Sequence, residues 1–211
     1  MMLDPYPLSL AVPHGALHGD LLLPNKARGI ALFVAAGGTE KQAAHGHAAE
    51  LLHRHGFGTL AIDLLIESER HFADAESHLP QLAERLLAII HQLHRRMEIE
   101  EIPTLPLGLI AAHEATPLVV RVAAQRDQDI GVLVCHGGLV DLAGLQYLKV
   151  LQAPLLLFAD SDDEVAARNL QRAKQYLPGV VEMERLPAAT DAAMIVATEH
   201  TARWFDRHLG R

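Results

Sequence analysis

Two spacings of apolar residues alternate along the chain, and together they predict a succession of strands and helices. Short continuous apolar runs recur at "GIALFVAA" (29–36), "FGTLAIDLL" (57–65), residues 104–112, "IGVLVCH" (130–136), "APLLLFAD" (153–160) and "VVEMERLP" (180–187). Such runs, bounded by turn residues, read as buried strands. Between them the apolar positions return every three or four residues, the helical period. Residues 41–55 put Ala44, Ala48, Leu51, Leu52 and His55 on one face, and Gly56 stops that helix. Residues 79–97 form the clearest stripe, with Leu79, Leu82, Leu86, Ile89, Ile90, Leu93 and Met97 in line. A helix over 114–126 has Pro117 in its first turn, where a missing N–H is tolerated. Residues 163–177 end at Pro178-Gly179, and 191–209 turn Ala202, Phe205 and Leu209 inward. Two β-like segments, "PLSLAV" and "ALHGDLLLP", come first with no helix between them, which predicts an antiparallel start. Residues 66–78 read as a polar surface excursion, and the stretch after residue 136 as a loop with a short helix.

Strands alternating with helices in this way give a doubly wound, mostly parallel α/β sheet with helices on both faces and right-handed crossovers. No internal repeat, low-complexity tract or linker interrupts the pattern, so residues 1–211 are expected to form a single domain without a separate cap. In open sheets of this kind ligands sit beyond the carboxyl ends of the strands. Those ends are residues 35–39, His113, residues 135–137, residues 160–163 and the loop from Pro187 to Asp191.

Composition narrows the classes. A formal charge of −8 and no Lys/Arg cluster argue against a nucleic-acid or anionic-membrane partner. Half the residues are apolar and mean hydropathy is +0.13, as suits strands buried on both faces. Yet no stretch reaches the length of a bilayer span. The one cysteine, Cys135, excludes an internal disulfide and suits a reducing cytoplasm. The opening "MMLDPYPLSL" lacks a basic n-region and a long apolar h-region, so no signal peptide is expected. Most of the 14 histidines fall on polar helical stretches such as "HGHAAELLHRHG" and read as solvated surface. An outer strand or the last helix is the candidate contact for a homodimer.

The order and local context of "RGIALFVAAGG", "AAELLHRHGFGTLAIDLL", "LGLIAAHEA", "APLLLFADSDDEV" and "RLPAATD" resemble the α/β-hydrolase fold, in its dienelactone hydrolase-like branch, over residues 16–210. The resemblance implies a nucleophile on a strained strand-to-helix elbow, and His113 stands at that position. It implies an acid after the strand "PLLLFAD", which Asp162 matches, and a histidine base before the last helix, where Asp191 stands instead. An oxyanion hole would draw on Gly37, Gly38 and the backbone N–H of Glu114 at the following helix N-terminus. Cys135 and His136 belong to the pocket edge but are neighbours on a strand, so their side chains point to opposite faces and cannot pair. A small buried residue at a strand end is the plainer reading of Cys135.

His113 has three readings. It fills the space of a lost nucleophile; it acts as base or nucleophile, oriented by Asp162 or Asp191; or it joins His136, Asp162 and Asp191 around a metal ion, for which no local ligand motif such as H-E-x-x-H is present. Asp191 has a plain alternative as the N-cap of the last helix, in competition with Thr190. Two classes follow. One is a non-catalytic or repurposed small-molecule-binding member with a degenerate triad; the other is an ester or lactone hydrolase using His113 and Asp162, or a bound metal. Neither the fold nor the first class calls for a cofactor.

Overall fold

The two leading segments pair with each other before any helix intervenes. Strand β1 (Pro5–Val12) runs antiparallel to β2 (Gly15–Leu22), in register from Pro5 opposite Leu22 to Val12 opposite Gly15. The computed structural model describes residues 3–37, 41–72, 78–187 and 191–209. Six further strands complete one sheet: β3 (Ile30–Ala35), β4 (Gly58–Asp63), β5 (Leu107–Ala112), β6 (Ile130–His136), β7 (Leu155–Asp160) and β8 (Val181–Leu186). Their order is β1-β2-β4-β3-β5-β6-β7-β8, with β1 and β8 at the edges. From β4 to β8 every pairing is parallel, and β2 joins β4 antiparallel. The alternation of strands and helices therefore resolves as expected. Parallel strands need long crossovers, and helices supply them.

Helices α1 (Lys41–Arg54) and α6 (Asp191–His208) cover one face, where Leu52, Phe57, Trp204 and Phe205 pack on Phe33, Val132 and Phe158. Helices α2 (Leu79–Glu98), α3 (Thr116–Gln125) and α5 (Glu164–Ala173) lie over the larger core on the other face. The α2 stripe read from the sequence is buried at Leu82, Leu86, Ile89, Ile90, Leu93 and Met97. Its polar flank reaches β1: Gln92 accepts from the Ala11 N–H at 3.0 Å and donates to the Ala11 carbonyl at 2.6 Å. A short helix α4 (Leu145–Leu148) fills the connection between β6 and β7.

One charged side chain lies inside the larger core region. Arg85 of α2 is 0% exposed, donating to the Leu64 carbonyl at 2.8 Å and to both Glu69 carboxylate oxygens at 2.5 and 2.6 Å. Glu69 ends a 3-10 turn, Glu67–Glu69, so the first part of the polar excursion is tied to α2. Gln81 also donates to Glu69, at 3.2 Å. The rest of the excursion, residues 73–77, lies outside the described residues.

Two expectations need correction. The helix foreseen over 114–126 begins at Thr116, because the chain leaves His113 through a tight 3-10 turn, His113–Ala115, and Pro117 then starts the α-helix. Several histidines read as solvated surface are half-buried and paired. His55 Nδ1 lies 2.7 Å from Asp206, His53 Nε2 lies 2.8 Å from Thr59 Oγ1, and His200 meets Glu184. Burial works against ionisation of Asp206, but hydrogen bonds from Arg28 and His55 outweigh it and hold the carboxyl below its ordinary value.

Candidate functional site

The join between β5 and α3 is a strained elbow. His113 has φ +48°, a left-handed conformation that costs a residue with a Cβ on the order of 1–2 kcal/mol. The turn closes against Gly137 and Gly138 at the end of β6, which have φ +64° and +83°. A Cβ on Gly138 would stand 2.2 Å from the His113 carbonyl oxygen, and one on Gly137 would stand 2.9 Å from His113 Nδ1. Only residues without a side chain let the elbow sit so low over β6. Thr116 then ties the two elements, its hydroxyl donating to the Gly137 carbonyl at 2.9 Å.

The His113 side chain is exposed and borders a cavity of about 400 Å³ shared with Glu114, Asp163, Leu79, Leu142 and Val165. This volume falls in the range of small-molecule sites. His136 lies beside it. The two imidazoles stack at a centroid distance of 6.0 Å and an interplanar angle of 28°, and His136 Nε2 lies 3.1 Å from Asp160 Oδ1. Rings stacked in this way do not aim their nitrogens at one point. Among the described residues no three His, Cys, Asp or Glu side chains gather in a way that could hold a metal ion.

The three aspartates after β7 take different directions. Asp160 faces His136. Asp162 is exposed and does not line the cavity. Asp163 caps α5, accepting from the Ala166 N–H at 2.9 Å, and does line it. Its Oδ2 and His113 Nδ1 both lie within 4 Å of the point a Gly137 Cβ would occupy. The carboxylate that shares the cavity with His113 is therefore one residue beyond the position matched from the sequence. The signal was available: an aspartate directly before an amphipathic helix is a preferred N-cap.

The oxyanion positions also differ from expectation. Gly37 is described, but its N–H donates to Asp63 Oδ1 at 2.9 Å. Asp63, at the end of β4, also accepts from the Leu65 N–H at 3.0 Å and meets Arg70 at 3.0 Å. Gly38 and Thr190 lie outside the described residues, as does the side chain of Asp191, whose backbone opens α6. Cys135 is not at the pocket edge. It is 0% exposed in the larger core, and burial pushes its thiol up to about 12 against a hydrogen bond with Thr116. A thiol held protonated in this way is no nucleophile. His136 borders the elbow without lining the cavity.

No family model matches the chain. Two Mycobacterium tuberculosis proteins, from strains CDC 1551 and H37Rv, each provisionally named a phosphoribosyl transferase, are 32% identical to it over 198 residues. The match takes in 90% of this chain but 44% of each relative, so the chain spans less than half the length of those proteins. Among solved structures, a dienelactone hydrolase from Anabaena variabilis superposes with a TM-score of 0.87 at 26% identity, covering 99% of this chain and 100% of that one. The esterase Est1E from Butyrivibrio proteoclasticus gives 0.74 at 13% identity over 95% and 98%. A lidless α/β serine hydrolase from Xanthomonas campestris gives 0.74 at 17% over 98% and 96%. Within the described residues no helix is long and apolar enough to cross a membrane. With this sheet order, the elbow at His113 and these likenesses, the chain is an α/β-hydrolase-fold protein of the dienelactone hydrolase-like kind.

Proposed function

We propose that this chain is a small-molecule-binding member of the α/β-hydrolase fold that keeps the pocket and has lost the acyl-transfer machinery. The observation that carries the reading is the residue on the elbow. An imidazole at φ +48° occupies the turn where a hydroxyl or thiol nucleophile would stand. The sequence puts no serine on the elbow: Ser9, Ser68, Ser77 and Ser161 all stand elsewhere along the chain. Asp191 in place of a base and the engagement of the Gly37 N–H by Asp63 support the same conclusion. A hydrolase of this fold needs nucleophile, base and oxyanion donors together.

A second reading is favoured by one observation, the opening of His113 onto a cavity that Asp163 also lines. In that reading His113 takes a proton from water as the water oxygen adds to an ester or lactone carbonyl. It then returns the proton to the departing alkoxide. The phosphoribosyl transferase activity in the relatives' name we assign to the part of those proteins beyond the match, because phosphoribosyl substrates are anionic and the lining here carries carboxylates.

Hydrolysis of a panel of short activated esters and a dienelactone, by wild type and His113→Ala, separates the two readings. Rates equal to each other and to buffer are expected. Turnover that disappears in His113→Ala would overturn the binding reading in favour of the second.

A further inference from the structure

The imidazole on the elbow is held in place from two sides. The Nδ1 edge of the His113 ring rests on the Gly137 backbone, where an added Cβ would stand 2.9 Å from Nδ1 and 3.1 Å from Cε1. His136 stands against one face of the ring, stacked at 28°. His136 is itself fixed, by Asp160 Oδ1 at 3.1 Å from its Nε2 and by an edge-to-face contact with Phe158 at a centroid distance of 6.2 Å. It does not line the cavity, so the cavity meets the part of the His113 ring that His136 leaves open. Glycine or asparagine suits φ +48° better than a residue with a ring does, so the ring is kept at a small backbone cost.

Leu79, Pro117, Leu142 and Val165 add apolar wall to the same cavity. Leu142, in the 3-10 turn after β6, is 57% exposed, and Val165, in the first turn of α5, is 66% exposed. Single exposed apolar side chains are ordinary. Two from separate elements that converge on one cavity of about 400 Å³ leave a surface for a ligand to cover. We infer that the cavity binds a molecule carrying a planar aromatic ring, with His113 as its stacking platform. The inference rests on the small-molecule-binding reading above and adds the ligand's chemical class. The ligand's ring continues the series Phe158, His136, His113 by one member, and Leu142 and Val165 cover its outer edge. Aromatic pairs gain beyond the area they bury, and a ring already held in place loses little freedom in making the contact.

Benzyl alcohol and cyclohexylmethanol share a carbon skeleton and a hydroxyl and differ in aromaticity. Both are uncharged, so Glu114 and Asp163 on the cavity wall do not decide between them. Their affinities for wild type, His113→Asn and His113→Phe are measured by ligand-detected NMR titration. Asparagine suits the left-handed turn and removes the ring; phenylalanine keeps one. The saturated ring is the more hydrophobic, so an apolar pocket alone would prefer it. In wild type benzyl alcohol is expected to bind about threefold more tightly, the surplus of one aromatic pair. The order should reverse in His113→Asn and hold in His113→Phe. A further readout needs no variant and decides the matter if a variant fails to fold. Benzyl alcohol should move the His113 ring proton resonances of wild type upfield, and cyclohexylmethanol should leave them nearly in place. Cyclohexylmethanol binding wild type as tightly as benzyl alcohol overturns the inference and leaves the pocket reading standing. So does a preference that survives His113→Asn or is lost in a folded His113→Phe, and so do unmoved His113 resonances. Absence of binding by both alcohols overturns the pocket reading and the inference with it.

Discussion

Replacing Glu69 with alanine should be among the more damaging single changes in the chain, although the residue lies in what the sequence presents as a polar surface excursion. The Arg85 side chain is fully buried, while that of Glu69 keeps 19% of its surface. Three hydrogen bonds engage the terminal nitrogens of Arg85, two of them to Glu69, while its Nε has no acceptor among the described residues. Glu69→Ala leaves a guanidinium in the core with the Leu64 carbonyl as its remaining acceptor. Breaking a buried ion pair from one side costs about 3–5 kcal/mol, and the partial exposure of Glu69 points to about 3 kcal/mol. In a chain of 211 residues that is a fall in Tm of roughly 6–12 °C. Urea and thermal denaturation followed by far-UV circular dichroism measure it. Adding Arg85→Met to Glu69→Ala replaces the stranded charge with an apolar side chain of similar reach and should restore most of the loss. The pH dependence has a fixed sign. The hydrogen bond from Arg85 holds the Glu69 carboxyl below its ordinary value of 4.5, against the opposing effect of burial. A depressed carboxyl contributes stability above its unfolded value and loses it as pH falls through the folded value. The gap between wild type and Glu69→Ala should therefore be full at neutral pH and narrow in acid below 4.5. A loss under about 1 kcal/mol, or a double variant no more stable than the single, would refute the reasoning.

Other outcomes follow from the site. Gly138→Ala should cost at least about 2 kcal/mol in urea denaturation, since its Cβ would strike the His113 carbonyl at 2.2 Å from a backbone at φ +83°. Asp163→Ala should cost about 1 kcal/mol through loss of the α5 cap, and Asp163→Asn little, by the same measurement. Cys135 should resist a thiol reagent at pH 8 in the native protein and react fully in denaturant, because burial keeps its thiol protonated up to about 12.

Most of the fold was legible because its signals are local. Strand β6 begins and ends where the apolar run "IGVLVCH" does, and the antiparallel start follows from the lack of a crossover helix between the first two segments. The elbow was legible as a strand running into a helix at His113, with the turn in between tighter than the apolar period alone suggests. What escaped depends on pairings across the chain. Among three aspartates in four residues the N-cap preference marks Asp163, but that the cap also brings this carboxylate to the cavity depends on where α5 lies against the elbow. The Gly37 N–H could be assigned to an oxyanion hole because nothing nearby in sequence shows that Asp63 takes it. Arg85 did leave a trace. It lies three residues after Leu82 and four before Ile89, on the buried stripe of α2, and an arginine there requires a partner.

The free edge of β1 has a consequence for how copies of the chain behave when concentrated. An edge strand exposes a row of backbone donors and acceptors on which a strand from another molecule can grow. The carbonyls of Ser9 and Ala11 and the Ala11 N–H turn away from β2, toward Arg96 and Gln92 of α2. Pro5 and Pro7 share that parity, so where their N–H groups would face outward there is none to offer. An incoming strand would find both groups of Ala11 already engaged and two donors missing, so intermolecular β-pairing that leads toward fibrils has a poor template along this border.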